Sequence, residues 1–289
     1  MDANREHVEL SWGPVSYLEW SGGPAARTVV LLHGAGVDSA ALSWGGLGPQ
    51  LATAGYRVLA PDHPGYGASA PGPATQQGLV DYVGEFVDTL GLKTYVVAGL
   101  SLGGGMTIGH SLARPDTVRG AILLGSYGIM PRLSDGLFSP ARQLLTWAMV
   151  RTGLLTALSK ATARSNSALD ASMASLIRSP EQRTAQLLAE VRAAARAGVG
   201  LGSFAQWQRE QIRWDRLTTD YRDRLPGFAP PALIIHGDRD SGVPVARAVE
   251  AQSLIPEARL QIVPGAGHWV QRDQPVVVLD AMLSFMAAV

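Results

Sequence analysis

Gly99-Leu100-Ser101-Leu102-Gly103 sets one serine between two glycines. A serine hydroxyl becomes a nucleophile only when the backbone exposes it, a base takes its proton and donors receive the charge that develops. The surrounding residues supply the first condition. Val96-Val97-Ala98 has strand character and ends at Gly99, and Met106 to Ala113 has helical character up to Arg114-Pro115. A serine on so tight a strand-to-helix turn adopts a strained backbone and lifts its hydroxyl above the sheet. A Cβ at position 99 or 103 would collide with the neighbouring backbone, so glycine is needed there. The helix that follows points its free N–H groups and positive dipole end at the reacting atoms.

The base must be sought far along the chain, among six histidines. His7 sits in the N-terminal leader, His63 in a loop, and His110 within the helix after the serine turn, roughly opposite Ser101 by helical phase. His33 and His236 close strands and each precedes a glycine, which suits backbone positioning. His268 differs. Pro264-Gly265-Ala266-Gly267-His268-Trp269 is a glycine-rich loop after the last strand, and a free imidazole on such a loop suits a general base. Its orienting acid should come from the loop Gly237-Asp238-Arg239-Asp240, because no acid follows the strand ending at Leu124. Asp238 is placed to tie down the turn, and Asp240 lies further out, where a carboxylate can reach the second nitrogen of His268. The oxyanion then takes the backbone N–H of Leu102 and a second N–H from the loop His33-Gly34-Ala35-Gly36, at Ala35.

Short elements must bring these residues together. Val8 to Leu10 and Val15 to Trp20 read as a hairpin. Apolar runs at Thr28 to His33, Arg57 to Ala60, Val96 to Ala98 and Val118 to Leu124 read as strands of a mostly parallel, doubly wound sheet. Helices are expected from about Trp44 to Ala54 and Gln77 to Leu90. After Gly125 the βα rhythm stops for about a hundred residues. Helical stretches at Gln143 to Leu158, Ala168 to Ile177, Glu181 to Ala197 and Phe204 to Ile212 fill that gap. Strands at Pro231 to His236 and Arg259 to Val263, with helices at Val245 to Ile255 and Pro275 to Ala288, resume the rhythm. The expected organisation is a core of residues 1–125 and 226–289 with an all-helical cap inserted at 126–225.

Composition narrows the function. The net charge of +0 argues against nucleic-acid or membrane partners, and the absence of cysteine excludes a thiolate nucleophile and any disulfide. The start lacks the pattern of a secretory signal, and no uncharged apolar run reaches about 18 residues. A cytoplasmic monomer or homodimer acting on a small ester or acyl compound, with no metal or organic cofactor, is expected. From Ser126 to Leu225 the chain has 14 Lys plus Arg against 8 Asp plus Glu, so that stretch carries +6 and the remainder −6. Ordinary solvated helix faces account for such an excess, and a basic lid for anionic substrates is the alternative. Trp147, Phe204, Trp207 and Trp214, with Met149 and Met173, are candidates to roof an apolar pocket or to pack the cap on the sheet. His33, Gly34 and Trp269 are candidates for its floor.

Taken together, His33-Gly34-Ala35-Gly36, the stretch from Asp62 to Ser69, the serine turn, Gly237-Asp238-Arg239-Asp240 and Gly267-His268-Trp269 resemble the α/β-hydrolase fold family, over nearly all the chain outside the cap. The order Ser101, Asp240, His268 is that family's chain order. The resemblance implies an α/β-hydrolase fold and a serine hydrolase acting on carboxylic esters through an acyl-enzyme. A serine nucleophile separates the chain from the epoxide hydrolase and haloalkane dehalogenase branches, which use aspartate. Gly267-His268-Trp269-Val270-Gln271 also resembles the histidine loop of hydrolases that cleave carbon–carbon bonds in ring-fission products. Those enzymes usually continue their oxyanion loop as Gly-Pro-Gly, whereas Val37-Asp38 follows Gly36 here. Gly103-Gly104-Gly105 resembles cofactor-free esterases with perhydrolase side activity. A non-catalytic sensor of the same descent is the third alternative.

Overall fold

Apolar residues alternate sides along the central strands, and the alternation builds one core on each face of a single sheet. The computed structural model describes residues 2–23 and 26–289. Its strands are β1 (Asn4–Leu10), β2 (Gly13–Trp20), β3 (Arg27–Leu32), β4 (Tyr56–Pro61), β5 (Tyr95–Leu100), β6 (Val118–Leu124), β7 (Ala232–Gly237) and β8 (Ala258–Val263). They lie in the order β1-β2-β4-β3-β5-β6-β7-β8. β2 runs antiparallel to both β1 and β4, and every later pairing is parallel. This is the α/β-hydrolase fold, with the mostly parallel, doubly wound sheet expected from the sequence.

In β3, Val30 and Leu32 face the cluster built with Tyr82, Phe86 and Met106, whereas Val29 and Leu31 face the cluster built with Trp44, Leu51 and Met282. The first cluster packs α3 (Gln76–Thr89), α4 (Leu102–Ala113) and α10 (Val245–Leu254). The second packs α1 (Ala40–Trp44), α2 (Gly48–Thr53) and α12 (Pro275–Ala288). Burial on both faces explains why β5 is buried at every position.

Three expected helices have other bounds in the structure. The helix expected over 44–54 is α2, which starts only at Gly48 with Pro49 in its first turn, while α1, which was not expected, ends at Trp44 before Gly45 and Gly46. The helix expected over 143–158 is α5 (Ser139–Arg151) followed by α6 (Leu154–Arg164). Gly153, at φ 78°, forms the break and is the N-cap of α6. The stretch expected over 181–197 begins with a 3-10 turn, Pro180–Gln182, before α8 (Ala185–Ala197), which Thr184 caps through the N–H of Leu187.

With α7 (Asn166–Leu176) and α9 (Leu201–Gln211), these helices occupy the chain between β6 and β7, where the only strand-like pairing among the described residues is the bridge Ile212–Leu217. The final residues of this block, among them Tyr221 and Leu225, are buried in the same cluster as α3 and α4. No described helix is long and apolar enough to cross a membrane.

Candidate active site

Ser101 is the N-cap of α4 and the only non-glycine residue with positive φ among those described, at φ 52° and ψ −112°. A backbone held there costs about 1–3 kcal/mol and persists only where the surroundings enforce it. Here they do. Ser101 donates its N–H to Leu124 O at 2.9 Å and accepts from the N–H of Gly105 at 3.1 Å and of Tyr127 at 2.9 Å. The glycines are needed at close range: a Cβ on Gly99 would lie 2.1 Å from Gly103 O, and one on Gly103 2.3 Å from Leu32 O. On Gly104 it would lie 2.1 Å from Ser126 Oγ.

His268 lies on the loop joining β8 to α11 (Val270–Asp273). Its Nδ1 lies 2.9 Å from Asp240 Oδ1 and 2.8 Å from Oδ2. Asp240 Oδ1 also accepts the N–H groups of Gly242 at 2.6 Å and Val243 at 2.9 Å. Burial raises the pKa of Asp240, but the hydrogen bond of His268, the electrostatic attraction of the His268 and His236 imidazoles and the Val243 N–H bring it below the usual carboxylate value. The acid therefore stays ionised and fixes the proton of His268 on Nδ1. Nε2 is then left as the lone-pair nitrogen.

The ring is held between two glycines. A Cβ on Gly125 would lie 3.0 Å from Asp240 Oδ2 and 3.2 Å from His268 Nδ1, and one on Gly242 would lie 3.1 Å from His268 Cε1. His236 stands behind the acid, donating from Nε2 to Val243 O at 2.9 Å with Asp240 Oδ2 at 3.4 Å, and burial lowers its pKa. Asp238 accepts the Gly265 N–H at 2.7 Å, tying the acid loop to the histidine loop.

Ser101 and His268 line the same two cavities, although no hydrogen bond joins them among the described contacts. Such bonds are often open in an unliganded site and close around substrate. The larger cavity, about 470 Å³, is bounded by Gly34, Ala35, Trp269 and apolar side chains of α6 to α9. The smaller, about 180 Å³, is bounded by Leu102, Tyr127, Met130, Leu133, Trp207 and Val243. Phe204 borders both.

The expected lining residues divide between the two cavities or fall elsewhere. Gly34 and Trp269 line the larger cavity and Trp207 the smaller. His33 lines neither. It is fully buried behind the loop carrying Ala35, accepting the His63 N–H on Nε2 at 3.0 Å and donating from Nδ1 to Gly34 O at 2.8 Å. Burial lowers its pKa to about 3, so the ring is a neutral brace. Trp147 also lines neither, packing against the cluster under the helical block, and Trp214 is 61 % exposed. His110 is buried in the core, 2.8 Å from the hydroxyl of Tyr95.

Sequence reasoning missed two acids that hold the loops of this site. Asp38 is buried at the edge of the larger cavity. It accepts from Gly34 N at 2.7 Å, Ser39 N at 2.7 Å and Ser43 Oγ at 2.8 Å. Burial outweighs these donors and pushes its pKa up to about 7. Ser43 in turn accepts from Trp269 Nε1 at 3.2 Å, so a chain of polar contacts links the loop carrying Ala35 to the residue after His268. Asp273 accepts from Gly267 N at 2.6 Å, Arg178 N at 2.7 Å and Ser179 N at 2.8 Å, binding the histidine loop to the end of α7. The signal for Asp38 was an acid just before a helix start. Asp273 had none, its partners on the helical block lying 94 and 95 positions away.

Fold and site define a class, the α/β-fold hydrolases. The chain belongs to the alpha/beta hydrolase fold family, whose sequence profile matches residues 27–275. It is 28% identical over 277 residues to a 2-hydroxy-6-oxo-6-(2'-aminophenyl)hexa-2,4-dienoic acid hydrolase of Metapseudomonas resinovorans, covering 94% of this chain and 87% of that one. It is 27% identical to an sn-1-specific diacylglycerol lipase of Mus musculus, covering 99% and 89%. The crystal structure of a Bacillus subtilis carboxylesterase superposes with a TM-score of 0.73 at 22% identity, over 100% of this chain and 93% of that one. The chain is thus a hydrolase of this fold, similar both to a dienoic acid hydrolase and to a diacylglycerol lipase.

Proposed function

We propose that this hydrolase cleaves a neutral carboxylic ester with an apolar acyl or alcohol part, through an acyl-enzyme on Ser101. The observation that carries the reading is the lining of the two cavities at Ser101, which includes Leu155, Leu169, Met173, Leu176 and Val191 but no lysine or arginine. A dienoic acid substrate keeps a carboxylate, which loses its hydration on binding and needs a compensating partner, a cation being the strongest. An ester needs none.

In this reading His268 Nε2 takes the proton of Ser101 as Oγ attacks the ester carbonyl carbon. The N–H groups of Ala35 and Leu102, which donate to no other described group, hold the oxyanion. The intermediate collapses by breaking the bond to the alcohol oxygen, which leaves with the proton from His268. Water, deprotonated by the same imidazole, then attacks the acyl carbonyl. The carboxylic acid departs and Ser101 is regenerated.

Similarity to a dienoic acid hydrolase supports a second reading, hydrolysis of a carbon–carbon bond in a vinylogous diketone acid. One assay separates the two. The enzyme is given p-nitrophenyl butyrate and a 2-hydroxy-6-oxo-dienoic acid under the same conditions. The ester reading predicts a kcat/KM at least about a hundredfold higher for the ester. Faster bleaching of the dienolate would overturn it in favour of the second.

A further inference from the structure

The neutral charge of the whole chain conceals a strongly asymmetric stretch. From Gly136 to Arg164 there is no Asp or Glu, and Arg142, Arg151, Lys160 and Arg164 are all exposed. None of the four is in an ion pair among the described residues, and Asp135, just outside the stretch, is paired with Arg247. The same stretch carries most of the exposed large apolar side chains among the described residues: Leu137, Phe138, Leu144, Leu145, Leu154 and Leu158, between 48% and 88% exposed.

Three- and four-residue spacing sets Ala141, Leu144, Leu145 and Ala148 on one side of α5, with Arg142 and Arg151 on its flanks. Leu154, Ala157, Leu158 and Ala161 share one side of α6, with Lys160 and Arg164 along one edge. A helix with apolar residues towards the outside and only cations around them has the composition of an interfacial helix. Leu158 is both 48% exposed and part of the lining of the larger cavity, so the apolar surface continues inwards towards Ser101.

We propose that α5 and α6 dock this enzyme on an anionic lipid surface, with the mouth of the larger cavity at the interface. Charge selects the occupant. Acidic phospholipid headgroups complement four unpaired cations, whereas a second copy on the same patch would bring those cations against their own equivalents. The leucines enter the headgroup layer, and a lipophilic substrate passes from there past Leu158 without crossing water. Binding requires no turnover, so the proposal stands apart from the choice of ester or carbon–carbon substrate.

The test is flotation of the purified full chain with vesicles of phosphatidylcholine alone, and with a third of the lipid replaced by phosphatidylglycerol. Wild type is expected to float with the anionic vesicles, only weakly with the neutral ones, and to be released by about 0.5 M salt. Leu144→Gln/Leu145→Gln and, separately, Arg142→Glu/Lys160→Glu should each lower the bound fraction at least about tenfold. Both should leave hydrolysis of a water-soluble p-nitrophenyl ester and the thermal melt unchanged. Wild type that stays at the bottom with both vesicles, or floats equally with both, overturns the proposal. So does a dimer that Leu144→Gln/Leu145→Gln dissolves while no vesicle is bound. If the leucine variant does not fold, the charge variant decides: flotation like wild type contradicts docking.

Discussion

Asp38 accepts the backbone N–H of Gly34 on Oδ2 at 2.7 Å, which ties a buried carboxyl group to the loop carrying Ala35. Burial raises its pKa to about 7, so the folded chain holds this proton at pH values where the unfolded chain has released it. Stability then falls as pH rises from about 4 towards about 7 and levels off above. Asp38→Asn removes that dependence. The melting temperature of the variant minus that of wild type should grow between pH 5 and pH 7.5, measured by calorimetry. A difference independent of pH would show that Asp38 does not titrate in this window.

The carboxylate of Asp240 sets the tautomer of His268. Replacing it by Asn offers an amide that can donate where only an acceptor serves, and the imidazole proton moves to the wrong nitrogen. Asp240→Asn should lower kcat on p-nitrophenyl butyrate by on the order of 10⁴ with little change in KM. A drop of less than about tenfold would remove Asp240 from its role.

Gly125 turns its Cα towards that pair at φ 47°. Alanine there is strained by about 1–2 kcal/mol, and its Cβ would lie 3.0 Å from Asp240 Oδ2. Gly125→Ala should therefore cost both stability and, by displacing the acid, about 10- to 100-fold in kcat. Urea unfolding and initial rates check the two effects separately. A destabilised variant with unaltered kcat would mean that the acid tolerates the intrusion.

Ala163, buried in α6, borders the larger cavity. Ala163→Leu adds apolar volume into open space, so the fold should tolerate it. The kcat/KM for a long-chain p-nitrophenyl ester should fall about tenfold or more while that for the acetate stays within about twofold. Equal losses on both esters would place the long chain outside this cavity.

These residues differ in how far the sequence discloses them. The serine turn is local: two glycines, an apolar run before and a helix after say where the backbone bends. The strands likewise stand out as apolar runs, and the fold follows from their alternation with helices. The histidine loop is readable for the same reason, being bounded by Pro264, Gly265 and Gly267. Contacts across the chain leave no such trace. Asp273 reaches Arg178 over 95 positions, and nothing near either residue marks the other. His33 was expected in the pocket, yet its ring turns inwards to stack on His63, with ring centroids 3.7 Å apart. The divided helices were missed because periodicity carries across Gly153, while the backbone does not.

The central claim is that Ser101 is the atom donor to the acyl-enzyme. It is tested most directly by treating wild type and Ser101→Ala with a fluorophosphonate and mapping the adduct by mass spectrometry. One adduct per chain on the peptide containing Ser101, with no labelling and no ester hydrolysis in Ser101→Ala, is the predicted result. Label on another residue, or undiminished turnover in the variant, would contradict the account.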